Sequence, residues 1–172
     1  MKEKKPIRYR LGVSLEFPKS HARKGELTDF VDSIACVKFC PGDCEFCDFE
    51  KEKIHTIRSN YPLWEKRMKK VQAGEAVIEM FYWSGKPYNS KQVVFAMLDN
   101  DSGCGVQKLE WWGTGSMFVA WTETEDQDFY SELKLETLAK NDGLSLDDFK
   151  EWFKVYDLSQ PMAIIHFTKF RY

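Results

Sequence analysis

The spacing of apolar and polar positions divides the chain into short strands separated by turns. In a strand, successive side chains point to opposite faces, so alternation between apolar and polar residues indicates a half-buried strand. Enrichment in β-branched and aromatic residues supports the same assignment. By these criteria the sequence predicts strands over 9–17, 53–58, 76–83, 92–98, 106–112, 117–121 and 162–170.

Four helices are predicted between these strands. Thr28 is placed to cap a short helix. Ser59 or Asn60 caps a second helix, which Gly74 ends. A third is predicted over 131–140, and Ser145 caps a fourth whose apolar face carries Leu146, Phe149, Trp152 and Phe153.

The order of these elements predicts an α+β fold. Strands and helices do not alternate as βαβ units, so a doubly wound parallel sheet is disfavoured. A small, mostly antiparallel or mixed β-barrel with flanking helices fits the order better.

Composition and charge narrow the class of protein. The chain has 172 residues, of which 43% are hydrophobic and 15% aromatic, which is typical of one globular domain. The net charge of −2 provides no global attraction for nucleic acid, so any such contact requires a local basic patch. No apolar run approaches the ~20 residues that span a membrane, and no apolar segment follows the charged N-terminus. We therefore expect no membrane partner, a cytoplasmic location and reduced cysteines.

The segment 53–58 carries the first candidate site. Lys53, Thr56 and Arg58 fall within six positions, and an amine, a hydroxyl and a guanidinium this close can bind an anion or the polar edge of a base. A lysine of lowered pKa can also activate a threonine hydroxyl. Such a group needs a carboxylate, and Asp142 is a candidate, although Asp142 also suits a turn or a helix cap. The alternative for the whole segment is an edge strand with a solvated face.

A second candidate is the turn between the strands 76–83 and 92–98. Aromatic and basic residues alternate in it, a mixture that suits stacking on a base while a phosphate is held. The alternative is an ordinary hairpin turn with solvated lysines. The residues concerned are Trp83, Lys86, Tyr88 and Lys91.

A third candidate is a cysteine cluster. Four thiols within twelve residues, around a Pro-Gly turn, can bind a structural Zn²⁺; they are Cys36, Cys40, Cys44 and Cys47. The alternative is a reduced cysteine-rich loop without metal. No other cofactor is indicated.

Several landmarks in order resemble one known family. They are Lys53-x-x-Thr56-x-Arg58, Gly74-Glu75 at a strand entry, the strand Gln92–Leu98, Asn141-Asp142-Gly143 before an aromatic helix, and the strand Ala163–Phe167. From about residue 28 to 172 the chain resembles the ASCH domain family of the PUA-like superfamily. The resemblance implies one barrel domain over 1–172, with an N-terminal extension over about 1–27 and a cysteine-rich insertion over about 36–52.

The resemblance also implies a function. It suggests an RNA or modified-nucleoside binding protein whose pocket lies around Lys53, Thr56 and Arg58, with the aromatic and basic turn at its mouth. The alternative is an amidohydrolase acting on N4-acetylcytidine-type nucleosides, in which Lys53 activates, Thr56 attacks the amide carbonyl, Arg58 holds substrate and Asp142 occupies the acid position. A ribonuclease is a further alternative, so whether the protein is an enzyme stays open.

Overall fold

The computed structural model describes residues 5–40, 52–112, 119–123 and 130–172. These residues form an α+β fold, as the sequence predicts. Its strands are β1 (Ile7–Gly12), β2 (His55–Ser59), β3 (Ala76–Trp83), β4 (Gln92–Leu98), β5 (Gly105–Trp112), β6 (Val119–Glu123), β7 (Tyr130–Leu133) and β8 (Met162–His166). Its helices are α1 (Phe30–Phe39), α2 (Tyr61–Gln72), α3 (Leu135–Asn141) and α4 (Leu146–Phe153).

The strands form two sheets. One has the order β1-β3-β4, and the other has the order β2-β8-β5-β6-β7. β1 pairs with β3 in parallel, and the other pairings are antiparallel. Within the described residues these pairings do not close a barrel, so the predicted barrel is not confirmed.

The helix α2 matches its sequence signals closely. The Asn60 side chain accepts a hydrogen bond from the backbone N–H of Leu63 at 3.3 Å, and proline occupies the first turn. Trp64, Met68 and Val71 are buried, and Gly74 follows with a φ of 73°. The left-handed conformation favours glycine at this end of a helix.

Other boundaries differ from the sequence prediction. The stretch 131–140 is not one helix, because its start pairs with β6 as the strand β7 before α3 begins at Leu135; sheet pairing overrides a weak local helical preference here. Asp29, rather than Thr28, takes the N-cap position of α1, while the Thr28 hydroxyl donates to the Ser14 carbonyl at 2.7 Å.

The strand β8 is an interior strand of the larger sheet, next to the edge strand β2. It lies between β2 and β5, and all five of its residues are buried. β2 therefore joins the sheet by its pairing with β8, which fixes the position of the 53–58 segment. The pairing begins at His55, two residues later than predicted, because Lys53 instead forms an isolated bridge with Asp142.

The helices and the cysteines also bear on what the sequence predicts. No helix in the described ranges combines the length and apolar character that a membrane crossing requires. Cys36, in α1, is disulfide-bonded, which differs from the reduced thiols expected of this chain.

Candidate functional site

A small cavity lies where β2, α4 and the segment after β1 meet. Its volume is about 10 Å³, which is room for about one water molecule. Its walls combine charged groups with aromatic rings. The lining residues are Val13, Ser14, Phe30, Lys53, Thr56, Ile57, Arg58, Asp142, Trp152 and Phe153.

Lys53 and Asp142 form a buried pair in this wall. They are 2% and 4% exposed. The Lys53 Nζ donates to Asp142 Oδ1 at 2.6 Å and to the Asp142 backbone carbonyl at 2.5 Å. The same ammonium lies 4.1 Å from the centroid of the Phe30 ring, a cation–π contact. Backbone contacts hold the pair in register, since the Ile54 N–H donates to the Asn141 carbonyl at 3.0 Å.

Gly143 allows the lysine stem to approach. Its φ is +75°, and a Cβ added there would lie 3.1 Å from the Lys53 Cβ. Both the left-handed backbone and the close approach therefore favour glycine at this position. The Asn141-Asp142-Gly143 turn thus forms part of the site as well as the end of α3.

Burial dominates the electrostatics of the pair. It lowers the pKa of Lys53, an effect that Asp142 partly opposes. Burial alone would raise the pKa of Asp142, but Lys53 and His55 lower it, and the net direction is downward. Asp142 is therefore an ionised acceptor, and Lys53 loses its proton more readily than an exposed lysine.

His55 lies on the other side of Asp142. Its Nδ1 is 3.7 Å from Asp142 Oδ1, too long for a hydrogen bond. Its Nε2 is 2.7 Å from the Tyr172 hydroxyl. That hydroxyl accepts a hydrogen bond from Asn141 Nδ2 at 2.9 Å. Burial lowers the pKa of His55, with partial opposition from Asp142, so the imidazole is neutral at pH 7.

Thr56 and Arg58 complete the polar wall. Thr56 is 3% exposed. Arg58 Nη2 donates to the Gly12 carbonyl at 2.6 Å and Nη1 to the Ile57 carbonyl at 3.3 Å. The contact with Gly12 ties β2 to the end of β1, and the two hydrogen bonds leave other guanidinium N–H donors for a ligand.

The four central candidates from the sequence therefore lie together, while the others do not. Lys53, Thr56, Arg58 and Asp142 line one cavity. The aromatic and basic turn residues (Trp83, Lys86, Tyr88, Lys91) do not line it.

The predicted zinc cluster is only partly within the described residues. Cys44 and Cys47 lie outside them, and Cys36 is disulfide-bonded, a state that removes the thiolate a zinc ligand needs. In the described ranges, no group of three or more His, Cys, Asp and Glu side chains is arranged to hold a metal ion. The zinc site remains a prediction.

Sequence reasoning missed several residues of the site. Trp152 was expected on the apolar face of a helix, and nothing in the spacing of Phe30 or Trp152 distinguishes a cavity wall from a core. His55 lies inside the 53–58 motif, and its alternation with Lys53 was the available signal. Tyr172 carried no signal, because its contact with His55 spans 117 positions.

Comparison with known proteins does not place the chain in a family. No protein-family model matches it. No curated protein and no solved structure matches it either.

Proposed function

We propose that this protein binds an RNA base or a modified nucleoside at the cavity around Lys53, Thr56 and Arg58, as an ASCH-like protein with a PUA-like arrangement of its sheets. The observation that carries the proposal is the convergence of these three residues with Asp142 on one cavity. Together they present cationic donors, a hydroxyl and an ionised acceptor, the groups that read the edge of a base.

The aromatic walls support the same ligand class. The rings of Phe30 and Trp152 lie 5.7 Å apart by their centroids, and both border the cavity. Aromatic side chains next to hydrogen-bonding groups are the usual partners of an unstacked base.

A ligand of this size requires the cavity to open. The present volume of about 10 Å³ is far below the ~300 Å³ of ordinary ligand sites. Trp152 is the half-buried aromatic wall, packed on Phe17 and Phe30. We propose that displacement of its ring admits the ligand, so binding by induced fit belongs to the proposal.

Titration calorimetry with cytidine and N4-acetylcytidine tests the proposal. Thr56→Val keeps the side-chain shape and removes the hydroxyl, so we expect weaker binding by this variant. Thr122→Val is the matched control, because Thr122 is equally buried but bonds the Lys108 carbonyl in the larger sheet. Absence of binding by the wild-type protein to either nucleoside, and to cytidine-containing RNA, would reject the proposal.

A second candidate is hydrolysis of an N4-acyl group, which the buried Lys53–Asp142 pair beside Thr56 favours. Thr56 Oγ would bond to the acyl carbon while its proton passes to the Lys53 amine, in the deprotonated form that the lowered pKa of Lys53 makes more accessible. The C–N bond would then break as Lys53 returns the proton to the departing cytosine nitrogen, and water would hydrolyse the threonyl ester to free acid. Asp142 would orient Lys53, and Arg58 would hold the substrate.

Chromatography of N4-acetylcytidine incubated with the protein separates the two candidates. Hydrolysis predicts cytidine and acetate from the wild type and none from Thr56→Val, with Thr122→Val unaffected. Binding without turnover supports the first candidate and excludes this activity. A ribonuclease activity would instead appear as cleavage products when unmodified RNA is incubated with the protein and separated by the same chromatography.

A further inference from the structure

The aromatic and basic turn belongs to a separate surface, the outer face of the sheet β1-β3-β4. Along β1, Tyr9 and Leu11 point inward while Arg8 and Arg10 are exposed. α2 covers the inner face, since Arg67 of that helix lies 5.1 Å from the Tyr9 ring centroid. The arginines therefore stand on the face opposite α2.

The two arginines are held in place by one carboxylate. Glu79, which pairs with Arg10 in the strand register, is 6% exposed. It binds Arg8 at 2.8 Å and Arg10 at 3.1 Å. Two guanidinium groups share one negative charge, so this part of the sheet is net positive, and the arginine side chains are 68% and 47% exposed.

A row of aromatic rings continues from these arginines to the tip of the β3-β4 hairpin. Arg10 lies 5.9 Å from the Phe81 centroid, Phe81 lies 5.7 Å from Trp83, and Trp83 lies 5.3 Å from Tyr88. Tyr88 is 87% exposed.

The hairpin tip that carries Tyr88 is ordered by its own hydrogen bonds. The Ser90 hydroxyl donates to the Lys86 carbonyl at 2.9 Å and accepts from the Gly85 N–H at 3.1 Å. Lys86 and Lys91 are exposed beside Tyr88, which adds two positive charges to the aromatic end.

This face adjoins the cavity. The Val13 N–H donates to the Phe81 carbonyl at 2.8 Å, and Val13 lines the cavity. Gly12, at the end of β1, accepts from Arg58 and has the Phe81 ring against its Cα. A chain whose base enters the cavity can therefore continue across the sheet face without leaving the protein surface.

We infer that the face formed by Arg8, Arg10, Trp83, Lys86, Tyr88 and Lys91 binds the single-stranded RNA that flanks the base held in the cavity. The inference rests on the proposed function. Arginine and lysine side chains contact phosphates, and an exposed ring provides a stacking surface for any base. The positive charge of this face, on a chain of net charge −2, matches a polyanion and disfavours an acidic chain that lacks bases to stack.

Fluorescence anisotropy with a labelled, cytidine-containing single-stranded RNA of about ten nucleotides, within the usual site size, tests the inference. Tyr88→Asn removes the ring and suits the left-handed backbone at φ 65°. We expect it to weaken RNA binding about ten-fold and to leave the affinity for free cytidine unchanged. Lys86→Gln and Arg8→Gln should each weaken RNA binding and reduce the slope of log affinity against log salt concentration by about 0.7. In Arg8→Gln the Glu79 carboxylate keeps its ion pair with Arg10.

Lys66→Gln is the matched control. Lys66 is an exposed lysine on α2, on the side of the sheet opposite the proposed RNA-binding face, so the variant should bind RNA as the wild type does. A duplex of the same sequence should bind more weakly, since its bases are not available to stack.

Equal affinity of Tyr88→Asn and wild type for the RNA, or RNA binding no tighter than cytidine binding, would overturn the inference while the cavity proposal stands. RNA binding that depends on Tyr88 without any cytidine binding would instead support this face and reject the cavity.

Discussion

Lys53 contacts Asp142 through both the side chain and the backbone, at 2.6 and 2.5 Å from its Nζ. The two residues are 89 positions apart in the chain, and each is almost fully buried. The ammonium thus satisfies the carboxylate and also anchors the turn that carries it. This pair fixes the electrostatics of the cavity.

The two members of the pair should contribute to stability in a coupled way. Lys53→Met leaves the Asp142 carboxylate buried without its cation, at a cost of about 3–5 kcal/mol. Lys53→Met with Asp142→Asn removes both charges, so its cost should be smaller than the sum of the single changes. Urea unfolding of the four proteins gives the coupling free energy. Strictly additive free energies would show that the pair is not coupled.

Gly143→Ala tests the close approach of the turn to Lys53. The left-handed backbone costs a non-glycine residue about 1–2 kcal/mol, and the added Cβ meets the Lys53 stem at 3.1 Å. Gly25→Ala is a matched control, since Gly25 has a φ of +80° and nothing within 4 Å of an added Cβ. We expect the larger loss of unfolding free energy at Gly143, together with weaker nucleoside binding. Equal losses would assign the whole effect to backbone strain.

The proton on His55 should reside on Nδ1. Asn141 donates to the Tyr172 hydroxyl, so the hydroxyl proton is directed to His55 Nε2, and the ring proton is left at Nδ1, facing Asp142. Long-range ¹H–¹⁵N correlation spectra of the histidines report the tautomer directly. A protonated Nε2 would contradict this arrangement. The spectrum of His55→Gln assigns the signals.

Stability should decline in acid because of buried histidines. Neither ring nitrogen of His166 has a hydrogen-bond partner in the described part of the chain, and burial lowers its pKa to about 2. The unfolded chain binds this proton below pH ~6.5, whereas the folded chain does not. The unfolding free energy should therefore fall with pH below ~6.5, by up to about 1.4 kcal/mol per pH unit for each such histidine.

His166→Leu isolates the contribution of that residue. The variant removes a buried imidazole that has no hydrogen-bond partner among the described residues, so we expect it to be at least as stable as wild type at pH 7.5. Its unfolding free energy should depend less steeply on pH between 5 and 6.5. Urea unfolding across this range measures the slope, and an unchanged slope would show that His166 takes no part in the acid dependence.

Ligand entry should change the environment of Trp152. If its ring moves to admit a base, nucleoside addition should alter tryptophan fluorescence in the wild type and much less in Trp152→Phe. Trp112→Phe is the control, because Trp112 is 63% exposed and does not line the cavity. A ligand-induced change that persists in Trp152→Phe would place the opening elsewhere.

Local signals in the sequence predicted α2, the β3-β4 hairpin and the N-cap of α4. Asn60, Gly74 and Ser145 act through neighbours a few residues away, as the Ser145 hydroxyl does in accepting from the Asp148 N–H at 3.1 Å. The prediction of a helix over 131–140 was wrong at its start because β7 is defined by its pairing with β6. Pairing with a distant strand leaves no mark on local propensity.

The site was predictable in part. Lys53, Thr56 and Arg58 occur within one short motif, so their proximity required only a strand. Asp142 was a candidate only as the carboxylate that the motif lacks, because the sequence pattern alone favoured a cap, and the resemblance in the order of landmarks then placed it at the acid position. The roles of His55 and Tyr172 depend on contacts between distant segments, and so does the separation of the aromatic turn from the cavity.

The position of β8 between β2 and β5 has a consequence for folding. β2 pairs with β8 across more than a hundred positions, with Thr56 opposite Ile165, and Lys53 bridges Asp142. Contacts of such long sequence separation form slowly, because a large loop must close first. During synthesis the 53–58 segment leaves the ribosome long before its partners, so the cavity cannot assemble on the nascent chain until residues 162–166 have emerged.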